Sequence, residues 1–113
     1  MKVIELEPIP SVRIQFKHSY YKNVPNISGC YALTNYENDI LYIGLSDNLQ
    51  NRFLQHLDNP DKTSTTENGK VIWFHFLEYD IINLPRLERT WLNKYEAFHG
   101  NKPILNKYNS PVK

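Results

Sequence analysis

Apolar residues recur at helical spacing most clearly in the last third of the chain. Leu84, Leu87, Trp91, Leu92, Tyr95 and Phe98 form one stripe. Asn83 is placed to cap this helix, Pro85 fits its first turn, and Gly100 sits where a helix end favours glycine. A second stripe, Leu49, Phe53, Leu54 and Leu57, predicts a shorter helix with Ser46 or Asp47 as its cap and Asn59-Pro60 as its stop. Ser28–Thr34 and Ile40–Leu45 read as strands joined by the polar turn 35–39, a hairpin. Lys70–Tyr79 is rich in β-branched and aromatic residues and reads as a third, largely buried strand. Residues 58–69 are polar and aperiodic, and read as a loop. Residues 1–27 hold three prolines and one alternating run, Val12–Phe16, and read as an extended arm with room for one edge strand. The order predicts an α+β fold: a small antiparallel three-stranded sheet flanked by helices. The domain runs from 28 to 108, between the N-terminal arm 1–27 and a C-terminal tail, 109–113.

Composition narrows the class. With 113 residues, 41% hydrophobic and 22% charged, the chain matches an ordinary single globular domain. A single cysteine, Cys30, allows no internal disulfide and no Cys-based zinc site, which fits a cytoplasmic location. Glu5, Glu7, Pro8 and Pro10 interrupt any signal-peptide core, and no apolar run is long enough to span a bilayer. The net charge of +1 is uninformative, but its distribution is not. From Arg86 onward there are six bases against two acids; before it, seven against ten. Arg86, Arg89, Lys94, Lys102 and Lys107 are thus candidate contacts for a phosphate backbone, or simply a solvated helix face.

Polar residues that interrupt apolar faces carry the chemistry. At about 100° per residue, Glu88 falls between Leu84 and Leu92, inside the stripe of the last helix, whereas Glu96 falls outside it. A carboxylate there needs a cation, because burying an unpaired charge costs several kcal/mol. On the shorter helix, Arg52 and His56 lie one turn apart and flank the core stripe. They could serve a phosphate and a proton transfer, or they could form a structural Arg52–Glu88 ion pair beside a boundary histidine. Tyr31 and Tyr42, on the two hairpin strands, can share one face, as a functional pair or an ordinary stacked one. Gly44 permits a close approach. The four histidines show no zinc-ligand spacing, and Cys30 has no basic sequence neighbour that would activate it.

These residues carry a resemblance to the GIY-YIG nucleases. Gly29-Cys30-Tyr31 resembles the first half-motif, and Tyr42-Ile43-Gly44 is identical to the second. Gly44-Leu45-Ser46 followed by Leu49, Arg52 and His56 resembles the family's helix pattern. Glu88 with Trp91-Leu92 resembles its metal-binding helix, and Pro103-Ile104-Leu105-Asn106 its closing element. The resemblance implies a divalent-metal-dependent endonuclease that hydrolyses nucleic-acid phosphodiesters, with DNA favoured over RNA and the choice left open by the residues. Glu88 would hold a single Mg²⁺ or Mn²⁺, whose charge stabilises the leaving oxygen. Arg52 would bind the scissile phosphate. Tyr31 would accept a proton from the attacking water or orient it, with Tyr42 and His56 positioning or activating that water. Asn106 would hydrogen-bond near the site and hold the tail. Gly29, Gly44 and Ser46 support the motif.

Three departures accompany the match. Cys30 replaces isoleucine at a position that alternates away from Tyr31. Asp39 brings negative charge where many relatives carry lysine. The helix from Glu88 to Pro103 is longer than in the excision-repair subgroup, which argues against membership there. The alternatives to an active nuclease are a catalytically weak or inactive module of the same fold that grips nucleic acid, and an interaction domain whose tyrosines bind a protein. A homodimer or a targeting partner protein is compatible with each of these readings.

Overall fold

A computed structural model describes residues 1–108, without the side chains of Lys107 and Tyr108. The expected tail, 109–113, and the Lys107 phosphate contact therefore lie outside the described residues. Four strands form one antiparallel sheet: β1 (Val12–Gln15), β2 (Gly29–Thr34), β3 (Ile40–Ser46) and β4 (Trp73–Glu78), in spatial order β1-β4-β2-β3. The expected count of three is corrected to four. Val12–Gln15 pairs in register with Trp73–Phe76, so the alternating run in the N-terminal segment is an edge strand of the main sheet.

Helices cover both faces. α1 (Leu49–Leu57) packs on one face through Leu49 and Phe53, which meet Tyr31, Phe74 and Phe76 in a core that also takes Phe16, Val24 and Leu105. α3 (Leu84–His99) packs on the other face through Leu84, Leu87, Trp91 and Tyr95, against Cys30, Ala32 and Ile43, with Val3 and Leu6 closing the edge. Adjacent strand residues point to opposite faces, so Cys30 and Tyr31 separate as the sequence implies. The first 27 residues supply Leu6 and Val24 to these cores, both fully buried, and the Trp91 indole donates to the Pro8 carbonyl at 3.1 Å.

Several local expectations change. α1 is capped by Asn48, whose side chain accepts from the Asn51 amide; Ser46 instead turns the chain just before it, bonded to the Asn48 amide and carbonyl. Residues 58–69 are not a plain loop. Asn59 caps a short helix, α2 (Pro60–Thr63), and Thr66 and Gly69 bridge a tight turn. The Asn59-Pro60 pair that stops α1 also starts α2, because proline fits a helix's first turn. Asn83 makes no side-chain cap bond; Asp80 caps the 3₁₀ turn Ile81–Asn83 that leads into α3. Gly100 ends α3 in the left-handed conformation, as expected. Phe98 is 65% exposed, so the apolar stripe ends at Tyr95. Among the described residues no helix is long and apolar enough to cross a membrane.

Candidate active site

The hairpin builds the centre of the site. In β2–β3 pairing, Tyr31 lies opposite Gly44, and Leu33 opposite Tyr42. Thr34 then faces Ile40, so Leu41 is the extra residue of a bulge. Tyr31 and Tyr42 are therefore diagonal neighbours on the α1 face, with ring centroids 6.0 Å apart. Tyr31 is held from behind by Phe74, stacked at 5.0 Å. Gly44 is required by this packing. A Cβ there would lie 2.6 Å from the Tyr31 hydroxyl oxygen and 2.9 Å from the Tyr42 ring. A Cβ on Gly29 would lie 2.4 Å from the Leu77 carbonyl oxygen and 2.8 Å from Leu49, so this glycine lets α1 close on the sheet.

His56 comes down from the last turn of α1. Its Nε2 is 2.6 Å from the Tyr31 hydroxyl, and its ring lies 5.3 Å from that of Tyr42. Burial lowers its pKa to about 3, with Lys62 and Arg52 adding to the effect, so the imidazole is neutral. Burial likewise raises the Tyr31 phenol well above its ordinary range. Tyr31 has no exposed surface; its hydroxyl meets Nε2 at 2.6 Å and lies within reach of the Tyr42 phenol and the Arg52 guanidinium. The neutral imidazole offers Nε2 as an acceptor for the buried Tyr31 proton, with the Tyr42 oxygen as the other acceptor beside it. Tyr42 is half-buried and is the phenol that reaches the surface.

Arg52, one turn before His56, is partly exposed. Its Nε donates to Gln55 and its Nη1 to the Leu45 carbonyl at 3.4 Å. These two bonds leave most of the guanidinium's donors for a ligand. The alternative Arg52–Glu88 ion pair does not form. The ion pair among the described residues is Lys2–Asp39, and Asp58 instead meets His18 Nε2 at 3.2 Å. The Glu88 carboxylate, half-buried on α3, accepts no hydrogen bond from the described residues. Burial raises its pKa, while Arg89, Lys102 and Arg52 pull the other way. No group of three or more His, Cys, Asp or Glu among the described residues could hold a metal. Glu88 thus stands as a single carboxylate, and its want of a protein partner fits a hard cation that keeps water ligands.

Asn106 is buried and does not point at these groups. Its amide oxygen accepts from the Ile43 amide and its amide nitrogen donates to the Ile43 carbonyl, both at 2.9 Å. It acts as a one-residue strand partner that pins the middle of Tyr42-Ile43-Gly44. Asp39 does not turn its charge into the site. Lys2 holds it at 3.0 Å near the far end of α3, about three turns from Glu88. Of the expected phosphate contacts, Arg89 and Lys102 bear on Glu88. Arg86 and Lys94 are exposed, but point about 160° and 120° around α3 from it. Cys30 is buried, its thiol pushed up to about 12 by burial and then by Glu88, which leaves it unreactive. The sequence reading missed Lys62, a buried lysine of α2 whose ammonium lies 4.9 Å from the centre of the Tyr42 ring. Its segment shows no periodicity, so nothing in the sequence marks it as inward-facing.

Fold and site together define a small α+β domain of nuclease type. The family model of the GIY-YIG catalytic domain matches residues 27–109, more than two thirds of the chain, and the chain belongs to that family. GIY-YIG nucleases act on nucleic acid and generally use a divalent metal. Comparison with curated proteins gives no match.

Proposed function

We propose that this chain is an active endonuclease that hydrolyses DNA phosphodiester bonds with one Mg²⁺ or Mn²⁺ held by Glu88. The observation that carries this reading is the half-buried Glu88 carboxylate without a protein partner, on a domain that also presents Arg52 and the Tyr31–Tyr42–His56 cluster. When bound, the cation supplies positive charge for the leaving oxygen. Arg52 binds the scissile phosphate and the charge that develops on it. Tyr42, at the surface, positions the attacking water. The water's proton passes to the Tyr42 oxygen as the Tyr42 proton moves to Tyr31 and the Tyr31 proton to Nε2 of His56, so the two phenols and the imidazole act as one base. A phosphate beside Arg52 offsets part of the positive field that disfavours protonated His56, so substrate binding itself makes the imidazole a better acceptor. Asn106 holds the Ile43 backbone, and with it the register of Tyr42 and Gly44.

A second reading, a module that binds nucleic acid without cutting, is favoured by the complete burial of Tyr31, whose hydroxyl meets no solvent. Cleavage of labelled single- and double-stranded DNA with Mg²⁺ or Mn²⁺, comparing wild type with Glu88→Ala, separates the two. Cutting by wild type alone supports the nuclease reading. Binding without cutting supports the module. Equal cutting by both proteins overturns the role given to Glu88.

A further inference from the structure

Lysine is almost never fully buried unless its charge is paired. Lys62 is 6% exposed as a residue, its stem packed, and among the described residues its ammonium makes no ion pair and no hydrogen bond, yet Asn38 Oδ1 and not this ammonium is the polar side-chain atom left buried without a partner. What it meets is the face of Tyr42, at 4.9 Å. A cation–π contact is a weak partner for an ammonium and leaves its three N–H donors unspent. Asp61, the acid that bears on it most, is exposed and adjacent in sequence, and burial still lowers the lysine's pKa. The position is nonetheless built. Asn59 caps α2, Thr63 donates to the Asn59 carbonyl, and Ser64 donates to the Pro60 carbonyl at 2.7 Å. A cation fixed beside Tyr42 and His56, with its donors unspent on protein groups, is placed to take an anion. A helix placed only for packing would gain more from an apolar side chain there.

We propose that Lys62 is a second cationic contact for the nucleic-acid strand, its ammonium pairing with a phosphodiester oxygen of the backbone laid across Tyr42, beside the phosphate taken by Arg52. The proposal rests on the nucleic-acid reading of this site but not on cleavage. It makes α2 part of the binding surface.

The test is binding of fluorescein-labelled single- and double-stranded oligodeoxynucleotides in EDTA, where metal-dependent cutting is silent, across a range of salt. Lys62→Met keeps the apolar stem and removes the charge; Lys62→Arg keeps the charge. Lys62→Met is expected to weaken binding about tenfold, equally for all sequences, and to reduce the salt slope by about one. Lys62→Arg is expected to restore the slope. Unchanged affinity and slope in Lys62→Met overturn the proposal, even if the wild type cuts DNA with Mg²⁺. A Lys62-dependent slope in a protein that never cuts sustains the proposal and removes the nuclease reading. No oligonucleotide binding by the wild type overturns both. Should Lys62→Met not fold, the Lys62 Cε resonance of the ¹³C-lysine-labelled wild type decides: movement on adding oligonucleotide supports the contact, and no movement overturns it.

Discussion

Two buried imidazoles, on opposite faces of the sheet, look alike by every simple measure. His56 is 6% exposed and His75 5%; burial lowers the first to a pKa of about 3 and the second to about 4. Each meets one hydroxyl: His56 that of Tyr31 at 2.6 Å, His75 that of Thr34 at 2.9 Å. Their partner hydroxyls differ in what else they meet. The Thr34 hydroxyl donates to the Asn35 carbonyl at 3.1 Å, so His75 must donate to Thr34. Tyr31 meets no carbonyl; beside Nε2 of His56 its hydroxyl has the Tyr42 phenol. Their surroundings differ too. Arg13 is the cation that bears on His75, and it is stacked on Trp73 at 3.9 Å. Around His56 stand a second phenol and the cations Arg52 and Lys62. Burial and a depressed pKa therefore do not mark a functional histidine; the groups its partner hydroxyl joins it to, and the cations around it, do.

The sharpest way to break this comparison is to delete each partner hydroxyl. Tyr31→Phe removes only the phenol oxygen and is expected to slow single-turnover DNA cleavage by about 10²–10⁴-fold. Thr34→Val removes the partner of His75. It is expected to cost about 1–3 kcal/mol in urea unfolding and to leave the cleavage rate within about twofold of wild type. Similar rate losses in both variants would mean that the His56 pair is structural, like its counterpart.

Glycine positions sharpen the same distinction. An added Cβ at Gly29 meets a sheet carbonyl, which cannot give way, whereas at Gly44 it meets the far end of the Tyr31 side chain. Gly29→Ala is thus expected to destabilise by about 3 kcal/mol and to lose activity only as far as it unfolds. Gly44→Ala displaces the Tyr31 hydroxyl from His56. It is expected to cost less stability and to lose more activity per folded molecule. Thermal melts alongside cleavage normalised to the folded fraction would reveal the reverse order, were the assignment wrong.

How much of this was legible in the sequence follows from how local each signal is. Stripes such as Leu49-Phe53-Leu57 and Leu84-Leu87-Trp91 fix helices because the 3.6 period is written within one segment. The anomaly of Glu88 was legible for the same reason: it interrupts a periodic face. β1 was visible only as an alternating run, since its partner Trp73–Phe76 lies about 60 residues away and pairing over such distance leaves no local mark. Asn106 shows the limit well. Its residue type announces a polar contact, but the Ile43 backbone as its partner emerges only when the chain end lies along the sheet edge. Lys62 was illegible, because α2 is too short to display a period and a lysine among polar residues reads as solvated.

The smallest and most discriminating effect is the dependence of stability on pH, where two kinds of buried group act with opposite sign. His56 and His75 have folded pKa values below their ordinary 6.5. Their contributions are present above 6.5 and are lost as pH falls towards about 3 and about 4. By linkage, each is expected to cost about 2 kcal/mol at pH 5 relative to pH 7. His75→Gln should remove about half of that slope. Glu88 has a raised folded pKa. Its contribution is present below the ordinary carboxylate pKa and is lost as pH rises through the folded value, so Glu88→Gln is expected to gain on wild type between pH 4 and pH 7. Mn²⁺ should reverse that ranking at pH 7, because binding to the native carboxylate stabilises the folded state and the amide of Glu88→Gln is a far weaker ligand. Urea unfolding at pH 4, 5 and 7, with and without Mn²⁺, reads all three effects. A wild type that Mn²⁺ does not stabilise, beside a variant that still gains between pH 4 and 7, would leave Glu88 as a buried acid without a metal.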